Sequence, residues 1–259
     1  MSLPCIMALA ASAVTGRTVP AGLLPAPFSG PGSFDCSFIA CVSARIADDS
    51  QIVISRTNGL LLTTPAGSTY IVTAGHGIEG FERISIFIFS DTGSVHLEAL
   101  QSDFVMHEDP GVDLACACLD DLAGYTGQPG FPTVDLIESS VLQTGESLTV
   151  MSRPPPGMGI PFTDTVLTRI GELRWTPATG DPYYTDAQVA AGFSGSPALA
   201  DTGSGPAPAG LVVARVTPLD RRTMALLGGT SRGVEPRPVY TEIVTCERIL
   251  ELLAGAVRF

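Results

Sequence analysis

The chain contains no lysine: its 14 basic residues are all arginine, set against 26 acidic ones for a formal charge of −12. That removes two chemistries at once, the phosphate-binding lysine of a P-loop and the Schiff-base lysine of pyridoxal phosphate. An acidic chain without a basic cluster also lacks the charge that supplies most non-specific nucleic-acid affinity, so no nucleic-acid partner is expected. Asparagine is nearly absent too, Asn58 being the single one, while arginine, alanine, glycine and proline abound. GC-rich coding accounts for such a composition, and escape from lysine-directed modification is the other reading of the missing lysines; composition does not separate them.

Six cysteines, at positions 5, 36, 41, 116, 118 and 246, include no C-x-x-C pair, and with three histidines no zinc-ligand spacing arises. No metal and no cofactor is expected. Cys116 and Cys118 lie two apart in a strand-like run and so share a face, where they pack as small apolar groups. No run of about 20 apolar residues occurs, which argues against a helical membrane span. The apolar stretch 4–11 is short, carries Pro4 and follows no basic residue, so residues 1–35 read as an extension or linker; a cleaved signal ending near Ala13 is the alternative. Prolines at 20, 25, 27 and 31 punctuate the segment that follows.

From residue 36 the pattern is β. Runs at 52–54, 60–62, 70–73, 84–89 and 95–100 are separated by turn signals at Asn58-Gly59, Pro65-Ala66-Gly67 and Asp91-Thr92-Gly93. Further runs fall at 147–151, 165–175, 188–191, 210–216 and 239–244. The last segment, 245–253, reads as a helix that Thr245 caps and whose Ile249, Leu250, Leu252 and Leu253 face the core.

Three short blocks carry chemistry. Gly192-Phe193-Ser194-Gly195-Ser196-Pro197 presents a serine between glycines, where the Gly192 and Ser194 amides can converge on a developing oxyanion. A serine needs a base and a group that orients the base. His76 stands at the end of the β-branched run Tyr70-Ile71-Val72-Thr73-Ala74, and Asp113 opens the apolar run Leu114-Ala115-Cys116-Ala117-Cys118, where an acid requires a partner. Glu108 and Asp109 compete with Asp113 for that role, and Ser196 is a weaker candidate nucleophile because Pro197 restricts its backbone. His96 and His107 read as surface or structural histidines, His107 in a polar loop.

In order and spacing the T-A-x-H, D-L-A and G-x-S-G-x-P blocks resemble the chymotrypsin/trypsin-like serine proteases, as do Gly210-Leu211-Val212-Val213-Ala214-Arg215-Val216 and Val239-Tyr240-Thr241-Glu242-Ile243. The resemblance spans residues 36–259 and implies an all-β fold of two six-stranded antiparallel barrels, about 36–122 and 136–244, with a C-terminal helix. It implies a serine endopeptidase acting on polypeptides through His76, Asp113 and Ser194, with Gly192 and Ser194 as the oxyanion hole; the alternative is a catalytically silent or latent binding module of the same fold.

Cysteines that secreted relatives place beside the histidine and before the nucleophile turn are replaced by Gly77 and Ala190. The match is therefore nearer the disulfide-free bacterial, Deg-type and viral members, with an intracellular setting slightly favoured and no PDZ domain expected after the helix. Phe193 replaces the aspartate that trypsin-type zymogens pair with a new N-terminus, so activation by N-terminal insertion is not expected, although Phe193 could leave the oxyanion loop collapsed at rest. By alignment the substrate pocket falls on Gln188, Val189, Val213 and Pro238. This set suits an uncharged, small-to-medium P1 residue, and Arg215 could favour acids further along the peptide.

Overall fold

A computed structural model describes residues 39–47, 52–90, 93–127, 130–138, 141–153, 166–175, 181–203, 205–216 and 239–256. In chain order the first half forms β1 (Ile39–Ala47), β2 (Ile52–Thr63), β3 (Thr69–Ala74), β4 (Arg83–Ser90), β5 (Gly93–Leu100), β6 (Val105–Met106), β7 (Leu114–Cys118) and β8 (Phe131–Pro132). The second half forms β9 (Ser147–Ser152), β10 (Leu167–Trp175), β11 (Tyr183–Thr185), β12 (Pro197–Asp201), β13 (Pro206–Val216) and β14 (Tyr240–Thr245), then helix α1 (Cys246–Ala256).

Position in the sheet explains the composition of each strand. All six residues of β3 are buried, because β2 and β7 flank it and both of its faces are covered; it reads as a continuous apolar and threonine run. At the end of the sheet β5 alternates instead, burying Leu97 and Ala99 while exposing His96, Glu98 and Leu100.

The second half closes as the expected six-stranded barrel, β10-β11-β14-β13-β12-β9. The first half keeps six longer strands in the order β5-β4-β1-β2-β3-β7 and adds two strands of two residues each, β6 beyond β7 and β8 parallel to β2. Its hydrogen-bonded path runs from β5 to β6 and does not return on itself among the described residues. This all-β architecture with a C-terminal helix is the trypsin-like fold.

Local expectations differ from the structure at four places. Asn58-Gly59 is not a turn but the interior of β2, which joins the runs 52–54 and 60–62 into one strand of 12 residues. Residues 188–191 form no strand; the strands near them are β11 and β12, before and after the nucleophile turn. The helix, which starts at Cys246 directly after Thr245 as the cap reading requires, runs to Ala256 rather than ending at 253. Within α1, Ile249, Leu252 and Leu253 are buried at i, i+3 and i+4, whereas Leu250, one residue round the helix, is exposed. The Pro65-Ala66-Gly67 turn stands as expected; Asp91 and Thr92 lie outside the described residues.

The core forms two clusters. One lies under the first sheet and takes in α1 with Leu211 and Val213 of β13; the other fills the barrel around Tyr183, Leu148, Val150 and Phe193. No helix among the described residues is long and apolar enough to cross a membrane.

Candidate active site

Each of the three candidate side chains sits at the end of a strand or in a turn beside one. β3 delivers His76 on a single 3₁₀ turn, Gly75–Gly77; Asp113 immediately precedes β7; Ser194 lies in the turn that leads into β12. Pairing of β3 with β7 aligns Ala74 with Leu114, which sets His76 beside Asp113. Two main-chain contacts tighten that pairing: Gly75 N–H donates to the Asp113 carbonyl (3.2 Å) and His76 N–H donates to Asp113 Oδ1 (2.7 Å).

The side chains then form one line. His76 Nδ1 lies 2.5 Å from Asp113 Oδ2, and His76 Nε2 lies 3.1 Å from Ser194 Oγ. Both His76 and Asp113 are partly exposed, 49% and 37%, so the pair borders solvent. The Asp113 hydrogen bond raises the His76 pKa above its usual value, burial lowers it, and the Asp113 charge raises it further; the net direction is up. With Asp113 holding Nδ1–H, neutral His76 presents a bare Nε2 to the serine hydroxyl. Glu108 and Asp109 do not reach His76; Asp109 Oδ1 accepts instead from Gly111 N–H (2.8 Å).

Around Ser194 the backbone takes conformations that only glycine tolerates. Gly192 has φ +93° and Gly195 has φ +76°. A Cβ on Gly195 would overlap the Asn58 carbonyl oxygen. Gly195 N–H donates to Val212 O (2.7 Å), Ser196 N–H to Phe193 O (2.9 Å) and Phe193 N–H to Ala190 O (3.2 Å). Among the described residues the Gly192 and Ser194 amides donate to no main-chain carbonyl. Phe193 turns inward, 4% exposed, into the barrel core. Ser196 is fully buried with its hydroxyl unpartnered among the described residues, so it makes no hydrogen bond to His76.

The residues assigned to the substrate pocket are less concentrated. Gln188 is exposed, and its side-chain amide donates to Asp186 O (3.1 Å) and Val239 O (3.0 Å). Val189 packs in the barrel cluster and Val213 in the other one, 6% and 4% exposed. Pro238 lies outside the described residues. Arg215 is exposed on β13.

Other titratable groups have structural surroundings. His96 stacks on Phe87 with ring centroids 4.5 Å apart and meets Glu98 at 2.8 Å. His107 is more enclosed than its polar loop suggests: its side chain is 6% exposed, Nδ1 accepts from Asp109 N–H (3.1 Å), and Nε2 lies 3.6 Å from Glu251 on α1. Burial pushes the Cys41 thiol up to about 11 and the Cys116 thiol up to about 12, so neither is a nucleophile near neutral pH. Among the described residues Cys41, Cys116, Cys118 and Cys246 form no disulfide, and no group of three or more metal-binding side chains converges.

The residue that sequence reasoning missed is Asn58. It is fully buried and makes contact with the nucleophile turn from β2. Its one signal was rarity, a lone asparagine inside a strand-like stretch, and the glycine after it disguised that signal as a turn.

A strand-borne histidine, an acid one strand away and a serine on a glycine turn of a closed barrel define a trypsin-like peptidase domain. The sequence agrees: residues 52–204, more than half of the chain, match the model of that family, and the chain belongs to it. Among solved structures it is similar to the apo form of the MamO protease domain from Magnetospirillum magneticum, with a TM-score of 0.56 over 86% of this chain and 97% of that one. At 16% identity this likeness is one of fold. None of the curated proteins matches the chain in sequence.

Proposed function

We propose that the chain is a serine endopeptidase whose nucleophile is Ser194. The observation that carries this reading is the unbroken line from Asp113 through His76 to Ser194 Oγ, with links of 2.5 and 3.1 Å. As Ser194 Oγ attacks the scissile carbonyl carbon, its proton passes to His76 Nε2, and Asp113 stabilises the imidazolium. The carbonyl oxygen becomes an oxyanion facing the Gly192 and Ser194 amides, a stabilisation worth about 3 kcal/mol per donor. Collapse breaks the C–N bond; His76 gives its proton to the departing amine and leaves an acyl-enzyme. Water then attacks the ester, His76 takes its proton and returns it to Ser194, and the acid product departs.

The pocket reading stays with an uncharged, small-to-medium P1 residue. What supports it is Gln188, which is neutral and whose amide is already committed to two main-chain carbonyls. Exposed Arg215 suits acidic residues further along the peptide.

The test pairs the wild type with Ser194→Ala, each treated with a fluorophosphonate probe and a diverse peptide library. The wild type is expected to label and cut, and the variant to lose roughly a million-fold in kcat, the scale of removing a triad nucleophile. Library preference for arginine or glutamate at P1 would refute the pocket reading. A wild type that folds but neither labels nor cuts would refute the protease reading in favour of a silent binding module.

A further inference from the structure

Asn58 lies in the interior of β2 with no exposed surface, and every polar group it owns has a partner. Its main-chain N–H donates to the Ser194 carbonyl (2.7 Å), and its own carbonyl accepts from Thr73 Oγ1 (2.6 Å). The side-chain Nδ2 donates to the Gly192 carbonyl (2.7 Å) and to Ser152 Oγ (2.9 Å), while Oδ1 accepts from Arg153 N–H (2.7 Å). This network fixes the amide orientation. Reversing it would set an NH₂ against the Arg153 N–H and an oxygen against the Gly192 carbonyl.

Two of these contacts fall on the residues whose amides face the developing oxyanion. We infer that Asn58 is the positioning residue of the oxyanion hole, holding the Gly192 carbonyl through its side chain and the Ser194 carbonyl through its main chain. The inference rests on the protease reading above and goes beyond it by naming what keeps the hole formed. Gly192, at φ +93°, offers little steric resistance to rotation of the peptide that follows it. That Gly192-Phe193 peptide is pinned at both ends, its oxygen by Asn58 and its N–H by the Ala190 carbonyl. The Phe193 ring adds packing in the barrel core, with the Arg169 guanidinium 6.0 Å from its centroid. Asn58 is thus the one side chain among the described residues that donates a hydrogen bond to the Gly192-Phe193 peptide. β2 lies at the centre of the first sheet, which makes it a rigid support for such a contact.

The experiment compares wild type, Asn58→Asp, Asn58→Ala and Ser152→Ala. Asn58→Asp keeps the shape and the acceptor for Arg153 N–H but sets oxygen against oxygen at Gly192. Thermal melts report folding; kcat, KM, the pH midpoint of the acid limb and the fluorophosphonate labelling rate report the site. The expected result for folded Asn58 variants is a fall of about 10²–10³ in kcat, the scale of a lost oxyanion donor, with a parallel fall in labelling and KM within about threefold. For Asn58→Ala the acid-limb midpoint stays put, because the His76–Asp113 pair is untouched and no charge is added. Ser152→Ala, which removes the other Nδ2 partner, keeps the wild-type rate within about threefold.

A folded Asn58→Asp or Asn58→Ala with wild-type kcat would overturn the inference. Should both fail to fold, the wild type still decides: with one asparagine in the chain, ¹⁵N-asparagine labelling gives the paired signal of a single side-chain NH₂ group. That signal is expected to be protected from solvent exchange and to shift when a boronic acid forms its tetrahedral adduct on Ser194. An exchanging or unresponsive signal would overturn the inference. A wild type that does not label at all would defeat the protease reading instead, so the two failures are distinguishable.

Discussion

On the proposed protease reading, His76 carries the pH dependence of the site. A general base works only when neutral, and Asp113 raises the pH at which His76 gives up its proton. The acid limb of kcat/KM is therefore expected to have its midpoint above the ordinary histidine value of about 6.5. In Asp113→Asn both raising influences are removed and burial remains, so the His76 midpoint is expected to drop below that value, with kcat lower by roughly 10⁴-fold as the wrong tautomer is held. NMR titration of the His76 ring together with pH–rate profiles checks both; an unmoved midpoint would contradict the assignment of Asp113. Because the folded pKa is raised, the pair's contribution to stability is fully present below the unfolded-state value and is lost as pH rises through the folded one. His76, Asp113 and Ser194 were legible because each sits where an apolar or glycine-rich run breaks off, a change of composition visible in one dimension. Asn58 was not, because its partners Gly192, Ser152 and Arg153 come from distant parts of the chain.

Helix α1 packs its buried residues against the first-sheet cluster and comes back against β7, the strand that follows Asp113. Ile249 and Leu252 are 0% and 3% exposed, and Leu250 is 42% exposed. Ile249→Ala and Leu252→Ala are each expected to cost about 2–5 kcal/mol, whereas Leu250→Ala should stay within about 0.5 kcal/mol. Urea unfolding midpoints at constant m-value test this, and equal losses at 250 and 252 would overturn the assigned face. Most of the longer strands were readable from their apolar runs; the nine-residue β1 was not among them. β6, β8 and β11 are too short to show a period, and β12 opens on Pro197, which a strand accepts only at its first residue or an edge. The run 188–191 has strand-like residues but no ladder; Gln188 and Ala187 are held instead by side-chain hydrogen bonds to Val239 and Thr241.

At the scale of the whole molecule, the candidate site is assembled from both halves: His76 and Asp113 from the first sheet, Ser194 from the barrel. Buried contacts join the halves behind it. Arg153, the residue after β9, donates from Nε to the Ile39 carbonyl (2.7 Å) and lies over the Phe89 ring at 4.6 Å, while Asn58 reaches across to Gly192 and Ser152. This sharing of partners is why a periodicity analysis recovers the two halves but not what joins them.

The dipeptide Asn58-Gly59 carries a chemical liability that the fold suppresses. Asparagine followed by glycine is the pair most prone to deamidation, since the unhindered Gly59 nitrogen can attack the Asn58 amide carbon and expel ammonia. Inside β2 that amide is held by three hydrogen bonds and is out of reach of water. Once the chain unfolds the protection is gone, and asparagine is among the thermolabile residues. Heat-treated protein is expected to refold with activity lost in proportion to the time held unfolded, and peptide mapping should find aspartate or isoaspartate at position 58; full recovery with position 58 converted would contradict this. Because no other asparagine exists, that one position records how long each molecule has been open.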